Sequence, residues 1–120
     1  MLTSGKQSQE EARIQSVLQR LSGITFIPNQ WNETIFWETV EEAGFTKDEV
    51  LHSDDVTFFQ KFIDLKWPWE QIEHFADILI ALEQDQPNHY LKERAKKTYQ
   101  FILNESKMYS FQITSKISQL

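Results

Sequence analysis

The sequence predicts an all-α fold, a single compact bundle of five or six helices, and three observations predict it. Apolar residues recur three and four apart along most of the 120 residues, the spacing of a helix that buries one face. Capping residues, glycines and prolines fall between these periodic stretches, where helices start and stop. β-type patterning is confined to two short runs, 24–27 and 109–113.

Residues 1–9 read as a polar, flexible tail and residues 10–120 as a single helical domain. Ile14, Val17, Leu18 and Leu21 give a first amphipathic helix, with Gly23 placed as its C-terminal cap. Ile24-Thr25-Phe26-Ile27, closed by Pro28, reads as an extended connector. A second helix, capped by Asn29 or Asn32, carries Trp31, Ile35, Phe36, Val40 and Ala43 and stops at Gly44. Thr46 and Glu49 have the spacing of a capping box, so a short third helix follows at once. Ser53 or Asp54 opens a fourth, with Val56, Phe59, Phe62, Ile63 and Leu65 pointing inward.

The next stretch organises the rest. Trp67-Pro68-Trp69 leads into an apolar face of Trp69, Ile72, Phe75, Ala76, Leu79 and Leu82, which Ile78 and Ile80 widen to more than half the circumference. Pro68 suits the first helical turn, where its missing N–H costs nothing. A helix so widely apolar is covered on several sides, so 68–85 is predicted to be central, with Phe75 and Leu79 buried. A last long helix begins near Pro87, with Leu91, Ala95, Thr98 and Ile102 on one face and Tyr90, Phe101 and Met108 beside them. For 109–120 the expectation is a frayed helical extension, and a small strand against 24–27 is the competing pattern.

The chain also aligns with itself, ungapped, at an offset of 22 residues. Phe36-Trp37-Glu38-Thr39-Val40 falls on Phe58-Phe59-Gln60-Lys61-Phe62, and Phe45-Thr46 on Trp67-Pro68. Two readings fit: a duplicated helix-turn-helix unit, or two hairpins that share a binary pattern because each buries one face.

Net charge is −6, unevenly placed. Residues 1–86 hold 16 Asp and Glu against 6 Lys and Arg, whereas 87–120 hold 2 against 6. An acidic body of this kind repels phosphate and attracts basic partners. The absence of cysteine excludes disulfides, thiolate metal sites and cysteine nucleophiles. The first residues lack the apolar run of a signal peptide and no window suits a membrane span, so a soluble, cytoplasmic protein is expected.

No motif points to a reaction. The three glycines stand far apart, so neither a phosphate loop nor a dinucleotide fingerprint exists, and there is no Gly-x-Ser-x-Gly elbow. His74 has Glu70 and Asp77 on its helix face, a set that could hold a divalent ion or serve a hydrolase. An exposed charged face explains it better, since no second histidine at i+4 accompanies it. Asp54-Asp55 reads as helix capping. Lys92, Arg94, Lys96 and Lys97 form the one basic cluster, read as a solvated face, with nucleic-acid binding as its sharper alternative. No catalytic, cofactor-binding or metal-binding residue is assigned.

The aromatic content, 13% of the chain, exceeds what a small helical core needs. Trp31, Trp37, Trp67, Tyr90 and Phe101 are therefore the candidate protein-binding residues, because surface aromatics bury large area with few rotatable bonds.

Asp54-Asp55-Val56, Phe59, Phe62-Ile63, Leu65 and Trp67-Pro68-Trp69-Glu70-Gln71-Ile72 resemble the second half of the DNA-binding domain of MerR-like regulators. There, an acid-led helix is followed by a turn and a helix that opens with a Glu-Ile-like pair. Thr34-Ile35-Phe36-Trp37-Glu38 and Glu42-Ala43-Gly44-Phe45 resemble more distantly the segment before the wing. This chain lacks the arginine-rich wing and a basic recognition surface. The resemblance thus implies a scaffold with lost or changed DNA binding and a last helix acting as a dimerisation arm; no DNA-contacting residue carries over. The leading expectation is a small non-enzymatic, regulatory protein that binds another protein, with a homodimer through the last helix as a second partner.

Overall fold

The computed structural model describes residues 5–85, 88–108 and 110–120, and among them every regular element is a helix. Seven form, against the five or six expected: α1 (Gly5–Thr25), α2 (Glu33–Glu42), α3 (Lys47–His52), α4 (Asp55–Asp64), α5 (Trp69–Asp85), α6 (His89–Ser106) and α7 (Phe111–Ser118). The additional helix is α7. Lys107 takes a left-handed φ of 56° at the end of α6. Ser110 then caps a new helix, accepting from the Ile113 N–H at 3.2 Å. The expected frayed extension is thus a separate element, and the competing strand does not form. None of the described helices is long and apolar enough to cross a membrane.

Several boundaries shift for local reasons. α1 begins within the stretch read as a tail, because its Lys, Gln and Glu residues are good helix formers; residues 1–4 lie outside those described. It also runs through Gly23, which is no cap. Thr25 is buried and its hydroxyl donates back to the Leu21 carbonyl at 3.0 Å, which carries the last turn past the glycine. Asn29, with φ of 67°, then turns the chain. Asn32 caps α2 by accepting from the Ile35 N–H at 3.0 Å, leaving Trp31 outside the helix. The Pro68 carbonyl accepts from Gln71 and Ile72, each at 3.1 Å, so α5 begins one residue after the proline. Asn88 caps α6; the expected start at Pro87 lies outside the described residues.

The fourth helix presents a face rotated from the one expected, and of the residues expected inward only Phe62 is fully buried. Val56, Ile63 and Leu65 are exposed, Val56 by 78%, while Phe58 and Phe62 are buried. Two rings one turn apart remove more apolar area from water than the aliphatic residues would. They join Phe45, Trp67 and Phe75 in a cluster with ring centroids 5.0–6.5 Å apart.

The centre is shared between two helices. α5 packs along α1 and α6, with Phe75 and Leu79 fully buried, while α6 lies against α3, α4, α5 and α7. Leu91, Ala95, Thr98 and Ile102 of α6 are all buried within the chain. Arg94 ties this centre together. Its side chain is 7% exposed and donates from Nε to the Val50 carbonyl at 3.1 Å, from Nη1 to Asp55 at 3.1 Å, and from Nη2 to the Ser53 carbonyl. The guanidinium also sits 4.4 Å from the Phe58 ring centroid. One side chain therefore fixes the end of α3 and the start of α4 to α6.

The offset of 22 residues extends to geometry. Asn32 and Asp54 cap the two ten-residue helices α2 and α4, accepting from the N–H groups of Ile35 and Thr57. Each helix is followed by a positive φ, 107° at Gly44 and 59° at Lys66. In the next position the N–H of Phe45 returns to Val40, and that of Trp67 to Phe62. These two equivalent aromatics meet edge-on, with centroids 5.7 Å apart.

Candidate protein-binding site

Of the five candidate residues, Trp31 and Trp37 come together. Both pack on the fully buried Phe36, at centroid distances of 5.4 and 4.9 Å. They line a concavity of about 280 Å³ with Glu33, Lys47, Leu51, Leu82, Asn88 and Leu91. Local structure explains how they meet. Trp31 stands just ahead of the Asn32 cap and Trp37 in the second turn of α2. The Gly44 turn then folds the start of α3 back over α2. Lys47 Nζ arrives 5.6 Å from the Trp37 ring centroid and 3.8 Å from Glu33 Oε2. Leu82 of α5 and Leu91 of α6 complete the wall. Along α2, Glu33 and Glu41 stand one turn to either side of Trp37, and both are exposed.

The other three candidates lie elsewhere. Trp67 is 6% exposed and meets Phe45, Phe62 and Phe75 edge-on, so it belongs to the core and offers no surface to a partner. Its position after the Lys66 turn aims the indole under α4. Phe101 is half-buried, stacked on Phe59 at 4.6 Å and beside Trp69 at 6.0 Å. Tyr90 is 60% exposed, with the His52 ring 6.1 Å away, in a separate groove shared with Asp55, Arg94 and Lys97.

The charged sets disperse. His74 Nε2 is 2.8 Å from Ser22 Oγ, whereas Asp77 receives Lys116 Nζ at 3.0 and 3.1 Å and the Tyr99 hydroxyl at 2.5 Å. Glu70 is exposed. Asp77 thus serves to dock α7, whose Lys116 also donates to Glu73 at 2.6 Å. Burial and then the bond to Asp77 push the Tyr99 phenol far above its ordinary pKa, so it remains a donor. Burial works against the charge on Lys116, but the bonds to Glu73 and Asp77 outweigh it and raise its pKa. In the basic cluster, Arg94 is buried and Lys97 donates to Asp55 at 3.0 Å. The fold thus withdraws Arg94 from the expected patch, while Lys97 stays half-exposed beside Asp55. Asp54 caps α4 as expected, while Asp55 takes the two cations.

Sequence reading missed Glu33, Lys47 and the leucines as lining residues. No local signal marks them, because Lys47 reaches Trp37 through the geometry of a turn and Leu82 and Leu91 through helix packing. Comparison with protein-family models, curated proteins and solved structures finds no match for this chain, so its chemistry has to be read from its own residues.

Proposed function

We propose that this chain is a small non-enzymatic helical protein that acts by binding another protein, and that the Trp31–Trp37 concavity is where the partner docks. The observation that carries this reading is the pair of half-buried tryptophans seated on Phe36 beside a solvent-open hollow. Such rings are already ordered by the core, so a partner gains their area with little further loss of freedom. A nucleic-acid reading, as the MerR-like segment would suggest, has less support, since Arg94 and Lys97 are engaged with Asp55.

Affinity capture from cells with the wild-type chain, Trp31→Ala and Trp37→Ala tests the reading. The expected result is a protein retained by the wild type and released by both variants, with helix content by circular dichroism unchanged. Retention of the same proteins by all three chains would overturn it. So would binding to random-sequence DNA with an affinity that falls steeply as salt rises.

A further inference from the structure

We infer that the Trp31–Trp37 concavity accepts a lysine or arginine side chain from a basic segment of the partner, and that Lys47 is this chain's own occupant of the same slot. The inference rests on the protein-binding reading above and names the chemistry of what binds.

The slot has two parts. Trp37 offers an indole face, which attracts a cation through its quadrupole, and Glu33 stands at the rim with a carboxylate. The partly exposed Leu51, backed by the buried Leu82 and Leu91, and the two indoles supply the apolar surface along which a methylene stem can lie while its charged head stays at the mouth. At about 280 Å³ the hollow lies at the low end of ligand-site sizes and has room for one long side chain.

Lys47 already makes both contacts, at 5.6 Å from the ring and 3.8 Å from Glu33. It does so loosely. Its side chain remains 50% exposed and that of Glu33 64% exposed, and half-solvated pairs of this kind contribute little. A competing cation displaces it at small cost. The surroundings select the sign of the competitor: Glu33 and Glu41 flank Trp37 on α2, and Glu38 and Asp48 are exposed on the same two helices. A basic segment gains from this field, and an acidic one is repelled.

The experiment selects dodecapeptides from a random phage-displayed library on the whole chain. Binding is followed through the indole N–H signals of Trp31 and Trp37 in nuclear magnetic resonance spectra. The expected peptides are rich in Lys and Arg and shift those signals. They bind Glu33→Gln about threefold or more weakly and Lys47→Ala more tightly than the wild type, because the resident cation is gone. Both substitutions are at exposed first-turn positions of α2 and α3, and unchanged circular dichroism confirms that each variant is folded. Peptides that shift the indole signals but lack basic residues, or that bind Lys47→Ala no better than the wild type, would overturn the inference and leave the protein-binding reading standing. A selection yielding no peptide whose binding depends on Trp37 would remove both.

Discussion

At the scale of single residues, Arg94 does the most to hold the chain in one arrangement. Its fork of donors meets two carbonyls and a carboxylate from the α3–α4 corner. Arg94→Ala is expected to cost about 2–4 kcal/mol, since it strands buried acceptors while Asp55 keeps some solvent and Lys97. Arg94→Lys should recover little, because a single ammonium cannot span the same three partners. Urea unfolding of the two variants checks this, and a lysine variant as stable as the wild type would refute it. Glu49 gives a pH signature. Bonds from Lys61 and then from the Thr46 N–H hold its carboxyl below the usual value. A depressed folded pKa means stability that is present above the unfolded value, about 4.3, and lost as pH falls through the folded one. Glu49→Gln should therefore lose less stability than the wild type between pH 7 and pH 3. Parallel unfolding curves across that range would show that the pair contributes nothing.

At the scale of elements, the two repeated turns differ in one respect. Gly44 holds a φ of 107°, which side chains rarely adopt, and a Cβ there would lie 2.9 Å from Leu65 Cδ1. At the equivalent place Lys66 takes a φ of 59° with a side chain attached, at a cost of roughly 1–2 kcal/mol. Gly44→Ala is thus expected to destabilise by more than about 1 kcal/mol, and Lys66→Gly to stabilise by up to about 1 kcal/mol after glycine's own entropy loss. Thermal melts of both variants decide it, and shifts of the same sign would contradict the account. The capping pattern of these turns was legible beforehand: Thr46 and Glu49 form the predicted capping box, with mutual bonds of 2.9 and 3.1 Å. Capping is readable because donor and acceptor lie within one turn of each other.

At the scale of the whole molecule, a dimer through the last helix would use its Tyr90, Phe101 and Met108 side, and that side is not left as one apolar strip. Leu91, Ala95, Thr98 and Ile102 close the core of their own chain, and Phe101 is stacked on Phe59. The large apolar residues exposed on this side are Tyr90 in the first turn of α6 and Met108 beyond its end, some eighteen residues apart. The chain is therefore expected to sediment near 14.3 kDa at all concentrations. A mass near twice that value would move the seam to the exposed Val56 and Ile63 of α4, and Ile63→Asp would then restore the smaller species.

By itself the sequence determined that the fold is helical, that α5 carries buried Phe75 and Leu79, and that Thr46 starts a helix with a capping box, while it narrowed two other starts to Asn29 or Asn32 and to Ser53 or Asp54. Each depends on residues within a turn or two of one another, where periodicity and capping chemistry act directly. The tertiary structure decided that Phe58 joins the predicted Phe62 in the core while Val56 and Ile63 do not. It also placed Trp67 inside, Arg94 in the core, and Trp31, Trp37 and Lys47 around one hollow. Those outcomes turn on which of several apolar or charged faces meets another helix. A face with two plausible apolar stripes, or an arginine with partners 39 to 44 residues away, is settled by packing between distant segments, which no local pattern encodes.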